Sequence, residues 1–570
     1  MELKLENAFN ELNINNLTNG LDNLPAYKLA GIFRDIATQI DDGEKKLILG
    51  SFEHICIYSN NIENINFGDK HSEICNLLAK KVSYIDNSLL KAIIGEMLFK
   101  LNKDYRVLEL TVDSYIDSFE KTFSTEQWVP CFEYIEKALN ISKLLGKKNS
   151  KKNICLEKMY TKLKSSYSND RLYLSSKIIT LLIVEKYGDS SELYNICIDR
   201  ADEAEKEKEF RKSRTYLELC IKDYIAKDNE KKNNIRKRIA RTYEEDAKYT
   251  LEKDETNYLV AAHHIEGAIE VNRKISNNKS KIDELHKLMM FYQQESIKYM
   301  KEISCNIELP KEMSEIINNK IDFFKGKDKE DVLKSFAFFE EIPEKETIKR
   351  QVEEESNLYP LQNLFPSVNV NEKGKKISKD EGSNLGDNSA DIENKMYSRA
   401  KLYFDMQTIT LSEPIRKVII EEHSISEDDL YEILNDNYII PEDRIKFYAK
   451  GFVAGFNGDF IVSSHLLIPQ LENSIRYILE KNGVVVTTIS NNGIQEEKNV
   501  NTLLKEEKLV DLFGEDLIFI LRALLIEKSG DNFRNDISHG LMSYERCEGN
   551  CAKYLWWIAW RICVLYKLYM

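Results

Sequence analysis

From about residue 20 to residue 340, apolar side chains recur at three- and four-residue intervals. Leu172, Leu174, Ile178, Ile179, Leu181 and Leu182 form one such series, continued by Ile183 and Val184. That spacing is the signature of a helix with one buried face. Similar series run from Tyr216 to Ile225 and from Tyr258 to Val271, the latter with Ala-rich spacing at Ala261, Ala262 and Ala268. Short polar breaks separate them, at Ser168-Asn169-Asp170, Gly188-Asp189-Ser190-Ser191 and Asp228-Asn229-Glu230. Only Pro25, Pro130 and Pro310 interrupt this long stretch. The pattern predicts helical hairpins stacked side by side, an irregular solenoid-like array without a clean repeat consensus.

The pattern changes between residues 366 and 394, where large apolar residues all but vanish and Asn, Ser, Gly and charge dominate. Such a composition predicts a mobile linker or long loop. Helices then resume. Pro441, followed by Glu442 and Asp443, suits a helix start, and His465 to Glu480 forms a helix closed by Asn482-Gly483. The β-branched run Val484 to Ile489, followed by Ser490-Asn-Asn-Gly493, predicts a small β-hairpin inserted between helices. Leu503 to Ile526 and Ala552 to Tyr569 complete the helical pattern. The expected organisation is all-α: an N-terminal helical array over 1–345 for recognition or regulation, a connecting segment and flexible linker over 346–395, and a C-terminal helical domain over 396–570.

Composition sharpens this picture. Nine prolines and 22 glycines in 570 residues favour long helices over a loop-rich sandwich or a glycine-dependent nucleotide fold. A formal charge of −14 excludes holding nucleic acid by bulk positive charge, so any RNA contact must be local. The polar start Met1-Glu-Leu-Lys-Leu-Glu-Asn lacks the pattern of a signal peptide, and Tyr554 to Tyr566 is too short to span a bilayer and contains Arg561. Most of the ten cysteines lie in helix-like apolar stretches, as reduced buried thiols do. A cytoplasmic protein with no membrane partner is expected.

One segment speaks of chemistry. Ser529-Gly-Asp-Asn-Phe-Arg-Asn-Asp-Ile-Ser-His-Gly540 places Arg534, Asn535 and His539 within six residues. Asp531 or Asn532 can cap a short helix there, and Gly540 can end it in a left-handed conformation. Asn535 and His539, four apart, share a face, whereas Arg534 must swing in from the helix start. A cation beside exposed amides is suited to phosphate, and a histidine next to that anion can move protons near neutral pH. The set describes metal-independent phosphodiester chemistry better than a metal site. Read blandly, His539 bonds a backbone carbonyl, Arg534 ties helices together, Asn535 bridges helix ends and Asn532 is only a cap.

The order Arg534-Asn535-x-x-x-His539 resembles the signature of the HEPN superfamily (higher eukaryote and prokaryote nucleotide-binding domains), in which a polar residue directly follows the arginine. RNDISHG is similar, more narrowly, to the RNxxxHG motif that defines a domain-of-unknown-function family within that superfamily. Gly458-Asp459, Leu467 to Arg476, the Gly483 hairpin and Gly514-Glu-Asp516 fit the same family, so the resemblance covers roughly 400–570. It implies an antiparallel helical bundle that dimerises, bringing two motifs into one composite cleft of a metal-independent endoribonuclease. By that resemblance His539 is general acid or base, Arg534 stabilises the pentavalent phosphate and Asn535 orients one of them. The RNA 2′-hydroxyl attacks, leaving a cyclic phosphate, and no cofactor is required. Such enzymes act as toxins or antiphage effectors, with a protein or phage-derived trigger expected on the array; other members are non-catalytic nucleotide- or RNA-binding modules.

Several other residues belong to the candidate set. Glu472 and Arg476 have the spacing and order of a helical ion pair. Next to Pro469 they either support the Arg534–His539 cleft or form a plain structural pair. His465 lies two turns before Glu472, as a second cleft histidine or a core one. Cys547, Cys551 and Cys563 hint at zinc, but no fourth ligand has suitable spacing. Trp556, Trp557 and Trp560 read as core or dimer contacts rather than base-stacking platforms. The basic run Lys231 to Arg241 is the best RNA-contact patch of the array, although its acidic flanks favour a solvated helix face.

Overall fold

The computed structural model describes the whole chain except residues 1, 127, 147–148, 302–308, 360–366, 372, 381–388, 491–492 and 569–570. Among the described residues the fold is all-α with two small antiparallel β-hairpins, and the chain divides into two units, Met1–Ser296 and Ile297–Met570.

The first unit is an array of helical hairpins in which consecutive helices pack on one another. Ala26–Thr38 pairs with Gly43–Ile57, and Ser88–Asn102, Leu108–Thr122 and Trp128–Ser142 follow in sequence. Ser190–Lys206 then pairs with Phe210–Cys220, and Asn229–Lys253 with Tyr258–Arg273. The polar breaks read from the sequence are helix caps. Asp189 accepts from the amides of Ser191 and Glu192, and Asp228 accepts from that of Glu230, satisfying donors that a helix start leaves open. A continuous core runs from Leu5 to Ile239, and a smaller one surrounds Ala261, Ala262, Ile265 and Ala268. There the small side chains let two helices approach closely: a Cβ on Gly267 would stand 2.6 Å from the Tyr243 ring.

The second unit is organised by its last helix, Asn550–Leu568. Trp557 and Trp560 are fully buried, and Trp556 packs against Phe336, Phe456 and Phe460. The indole N–H of Trp557 donates to the Phe336 carbonyl at 2.9 Å and that of Trp560 to the Leu333 carbonyl at 3.0 Å. Arg561 donates to the carbonyls of Ala337 and Glu340. The last helix thus satisfies the open carbonyl end of the helix Lys329–Phe336.

These contacts bring the helix Lys329–Phe336 into the second unit, Ile297–Met570. Val332, Leu333 and Phe336 belong to the core of the second unit. The expected linker also differs. Lys345–Leu358 is a helix with Ile348 and Val352 in that core, and Ser367–Val370 pairs with Lys376–Asp380 as a hairpin before helix resumes at Ser389. Residues 360–366 and 381–388 of that stretch lie outside the described residues. Strand pairing there comes from backbone hydrogen bonds, which a polar sequence supplies as well as an apolar one.

The anticipated hairpin is present as Thr487–Ile489 paired with Gln495–Glu497. The helix before it starts earlier than expected, at Phe460, because Asp459 caps it through the Val462 amide; Pro469 sits inside it on the exposed face. The expected helix over 503–526 is broken at Gly514, whose φ of 78° separates Glu507–Phe513 from Glu515–Leu525. Among the described residues no helix is long and apolar enough to cross a membrane.

Candidate functional site around Arg534 and His539

The motif helix, Phe533–Ser538, is short and held from below by Phe533, which is buried in the core of the second unit. The chain reaches it through a tight passage at Gly530. A Cβ there would stand 2.1 Å from the Ala523 carbonyl oxygen, to which the Asp531 amide donates at 2.8 Å. Only glycine allows so close a backbone approach. Gly540 leaves the helix end with a φ of 64°, as the sequence predicts.

Asn532 stands at the N-cap position but does not cap. Its backbone is left-handed, with φ 54°, and its side-chain oxygen accepts from Asn535 Nδ2 at 2.6 Å instead of from a helix amide. Asparagine tolerates that conformation better than most residues. Asn535 in turn accepts from Arg534 Nη1 at 3.4 Å, so it joins Asn532 to Arg534 and does not reach toward His539.

Arg534 is brought together with both supporting residues. Its Nε donates to Glu472 Oε2 at 2.7 Å and its Nη2 to Oε1 at 3.2 Å, a two-point fork. Arg476 Nη2 reaches the same Oε1 at 3.2 Å. Arg476 is fixed further by the Lys498 carbonyl at 3.0 Å and lies 3.0 Å from Glu497. The Glu472, Arg476 and Arg534 side chains are 15%, 17% and 25% exposed. The helix bearing Glu472 and Arg476 therefore forms one wall of the site, and Arg534 faces it with its fork filled.

His539 ends the motif helix and is exposed; among the described residues its ring has no hydrogen-bond partner. The bland reading of this histidine, bonded to a carbonyl, is not what the structure has. His465 is on the exposed face of its helix, bonded to the Ile461 carbonyl at 2.8 Å, so it is neither a core residue nor bonded to the motif.

Arg546 escaped the sequence reading, and Asp531, expected as a possible helix cap, has a different place. Arg546 pairs with Asp536 on the motif helix, donates to the Asp531 carbonyl and covers the Phe533 ring at 5.3 Å. Asp531 is buried and pairs with Lys401 at 3.1 Å, close to Asp405 and Cys551. Burial pushes the pKa of Asp405 up, with Asn550 opposing and the Asp531 charge adding to it, and burial raises the Cys551 thiol well above its usual range. The spacing from Asp536 to Arg546 crosses a turn and follows no helical or strand period, so no local pattern signals it.

The remaining candidates have structural places. Cys547, Cys551 and Cys563 are separate buried thiols, and among the described residues no group of three or more His, Cys, Asp or Glu is arranged to hold a metal ion. In the basic run, Ile235 and Ile239 are buried while Lys232 pairs with Asp223 and Arg238 with Asp202 and Glu205.

Compared with known proteins, residues 7–154 match a family described as "Domain of unknown function (DUF7380)". That match lies wholly in the first unit and does not reach the motif. No curated protein and no solved structure matches the chain.

Proposed function

We propose that the second unit is a HEPN-like endoribonuclease that cleaves RNA without a metal, through attack of the 2′-hydroxyl on the adjacent phosphate. The observation that carries the reading is the imidazole of His539, exposed and without a partner among the described residues, at the end of the helix that presents Arg534. An accessible imidazole is the group that accepts and returns protons near neutral pH. A guanidinium with two parallel donors suits the charge gathering on a phosphorane. In this reading His539 moves the proton, Arg534 holds the phosphate and Asn535 fixes the arginine.

An apolar row beside the motif supports action as a homodimer. Leu402, Met406 and Ile409 are 56%, 53% and 61% exposed at helical spacing, and Lys401 next to them pairs with Asp531. Reduced, buried cysteines support a cytoplasmic setting. We assign the first unit to recognition of a protein or phage-derived trigger, and the whole chain to toxin or antiphage defence. A second reading has its own observation. Because the Arg534 fork is filled by Glu472, the motif also fits a non-catalytic module that binds a nucleotide or RNA phosphate and recruits proteins.

The experiment is incubation of purified wild type and His539→Ala with total cellular RNA in EDTA, followed by analysis of fragment ends. Cleavage by wild type alone, with cyclic phosphate termini, is the expected result. Retention of RNA without cleavage by either protein favours the binding module.

A further inference from the structure

The Arg534 fork is the group that any phosphate must use, yet a carboxylate occupies it. Glu472 spans Nε and Nη2 of Arg534, the edge on which a guanidinium takes two oxygens of a phosphate side by side. Glu472 is also shared. Its Oε1 accepts from Arg476 as well, one turn further along the same helix. The two arginines are anchored differently. Arg476 donates to the Lys498 carbonyl and has the more exposed Glu497 beside it, so its position does not rest on Glu472 alone. Arg534 has Glu472 and, more weakly at 3.4 Å, the Asn535 amide oxygen.

We infer that Glu472 is a resting counter-ion that substrate phosphate displaces from Arg534, and that Arg476 keeps the released carboxylate. This rests on the endoribonuclease or phosphate-binding reading of Arg534. Displacement then leaves no charge unpaired. Phosphate takes the fork of Arg534, and Glu472 remains on Arg476 at the distance it already has. Without Arg476, the same exchange would strand a carboxylate whose side chain is only 15% exposed, which is strongly unfavourable. Glu472 and Arg476 are thus positioning residues. They set how readily the motif accepts a phosphate, and they discriminate against weak anions that cannot outcompete a two-point carboxylate.

The test uses the full chain and a short fluorescein-labelled RNA with 2′-O-methyl sugars, which binds but cannot be cleaved by 2′-hydroxyl attack. Affinity is measured by fluorescence anisotropy for wild type, Glu472→Gln, Arg476→Ala, Arg534→Ala and the double variant Glu472→Gln/Arg534→Ala. Glu472→Gln is expected to bind about tenfold more tightly, since a charged competitor becomes a neutral one. Arg476→Ala is expected to bind more weakly, and the gain from Glu472→Gln is expected to vanish when Arg534 is absent. A merely structural Glu472 would give a loss or no change, and its effect would not depend on Arg534.

If wild type binds in an Arg534-dependent way and a folded Glu472→Gln shows no gain, the exchange is overturned while the phosphate-binding reading stands. If neither protein binds the RNA, or Arg534→Ala binds as well as wild type, the functional reading itself falls. Should Glu472→Gln fail to fold, the weakened binding expected of Arg476→Ala decides the question, and unchanged affinity in that variant overturns the exchange.

Discussion

Arg238 in the first unit and Arg534 in the second are both partly buried arginines at carboxylates, yet their surroundings are opposite in balance. Arg238 is served by two carboxylates of its own, Asp202 and Glu205, on the helix Ser190–Lys206. At the motif the balance shifts: among the described residues Glu472 is the one carboxylate on Arg534, and it is shared with Arg476. An arginine with surplus carboxylates is a helix tie and has nothing left for an incoming anion. One that shares its counter-ion with a second cation can exchange it. The comparison therefore separates the basic run, the richest concentration of positive charge in the array, from a motif in which a single arginine has chemistry available to it.

The largest effects should separate the two arginines by activity. His539→Ala and Arg534→Ala are each expected to lower RNA cleavage by at least about a hundredfold, the usual scale for a lost proton-transfer group or charge stabiliser. Arg238→Ala should leave the cleavage rate unchanged in the same gel assay. Equal losses at both arginines would erase the distinction.

Next comes the scaffold that presents Arg534. Gly530→Ala forces a methyl group against the Ala523 carbonyl and is expected to cost about 3 kcal/mol in a denaturant melt. Smaller still, Arg238→Ala should cost about 1 kcal/mol, because it removes the cation shared by two partly exposed carboxylates, of which Glu205 keeps the Ser213 hydroxyl. Arg534→Ala should cost under about 1 kcal/mol, since Glu472 retains Arg476. A reversed order in the melts would overturn the contrast between tie and exchangeable pair.

A control of similarly small size lies in the second unit away from the motif. Asp429 closes a capping box with Ser426 and pairs with Lys329; the Ser426 hydroxyl above all, and Lys329, hold its pKa down at about 2. A carboxylate whose pKa is depressed by folding stabilises the fold at neutral pH. That contribution is present above the ordinary carboxylate range and is lost as the pH falls through about 2. Asp429→Asn should cost about 1 kcal/mol at pH 7 and flatten the acid limb of the melting curve, with cleavage unaffected.

The sequence made the helices legible because helix periodicity and capping are local. Asp189 and Asp228 stand at the breaks where polar residues interrupt the apolar series, and both cap. Arg534, Asn535 and His539 were legible as one short helix for the same reason. What stayed hidden is what spans distance. The pairing of Trp557 and Trp560 with carbonyls at 336 and 333 is tertiary, so the extent of the second unit could not be read from residues 297–345 alone. The hairpin of Ser367–Val370 with Lys376–Asp380 alternates only over Ser367-Val368-Asn369-Val370, too short a pattern to stand out in a stretch otherwise dominated by polar residues. Gly530 reads as an ordinary turn glycine until the Ala523 carbonyl is seen beside it.

The two tryptophan hydrogen bonds also bear on how the molecule can be cut. A fragment beginning at the polar stretch near 396, the natural choice from composition, would leave the carbonyls of Leu333 and Phe336 behind. It would carry two buried indole N–H groups without acceptors and a bare aromatic surface where Phe336 and Phe339 had packed. Such a piece would be sticky when expressed. A self-sufficient piece carrying the motif has to start ahead of Lys329, so the shortest folding unit is longer than the shortest recognisable one.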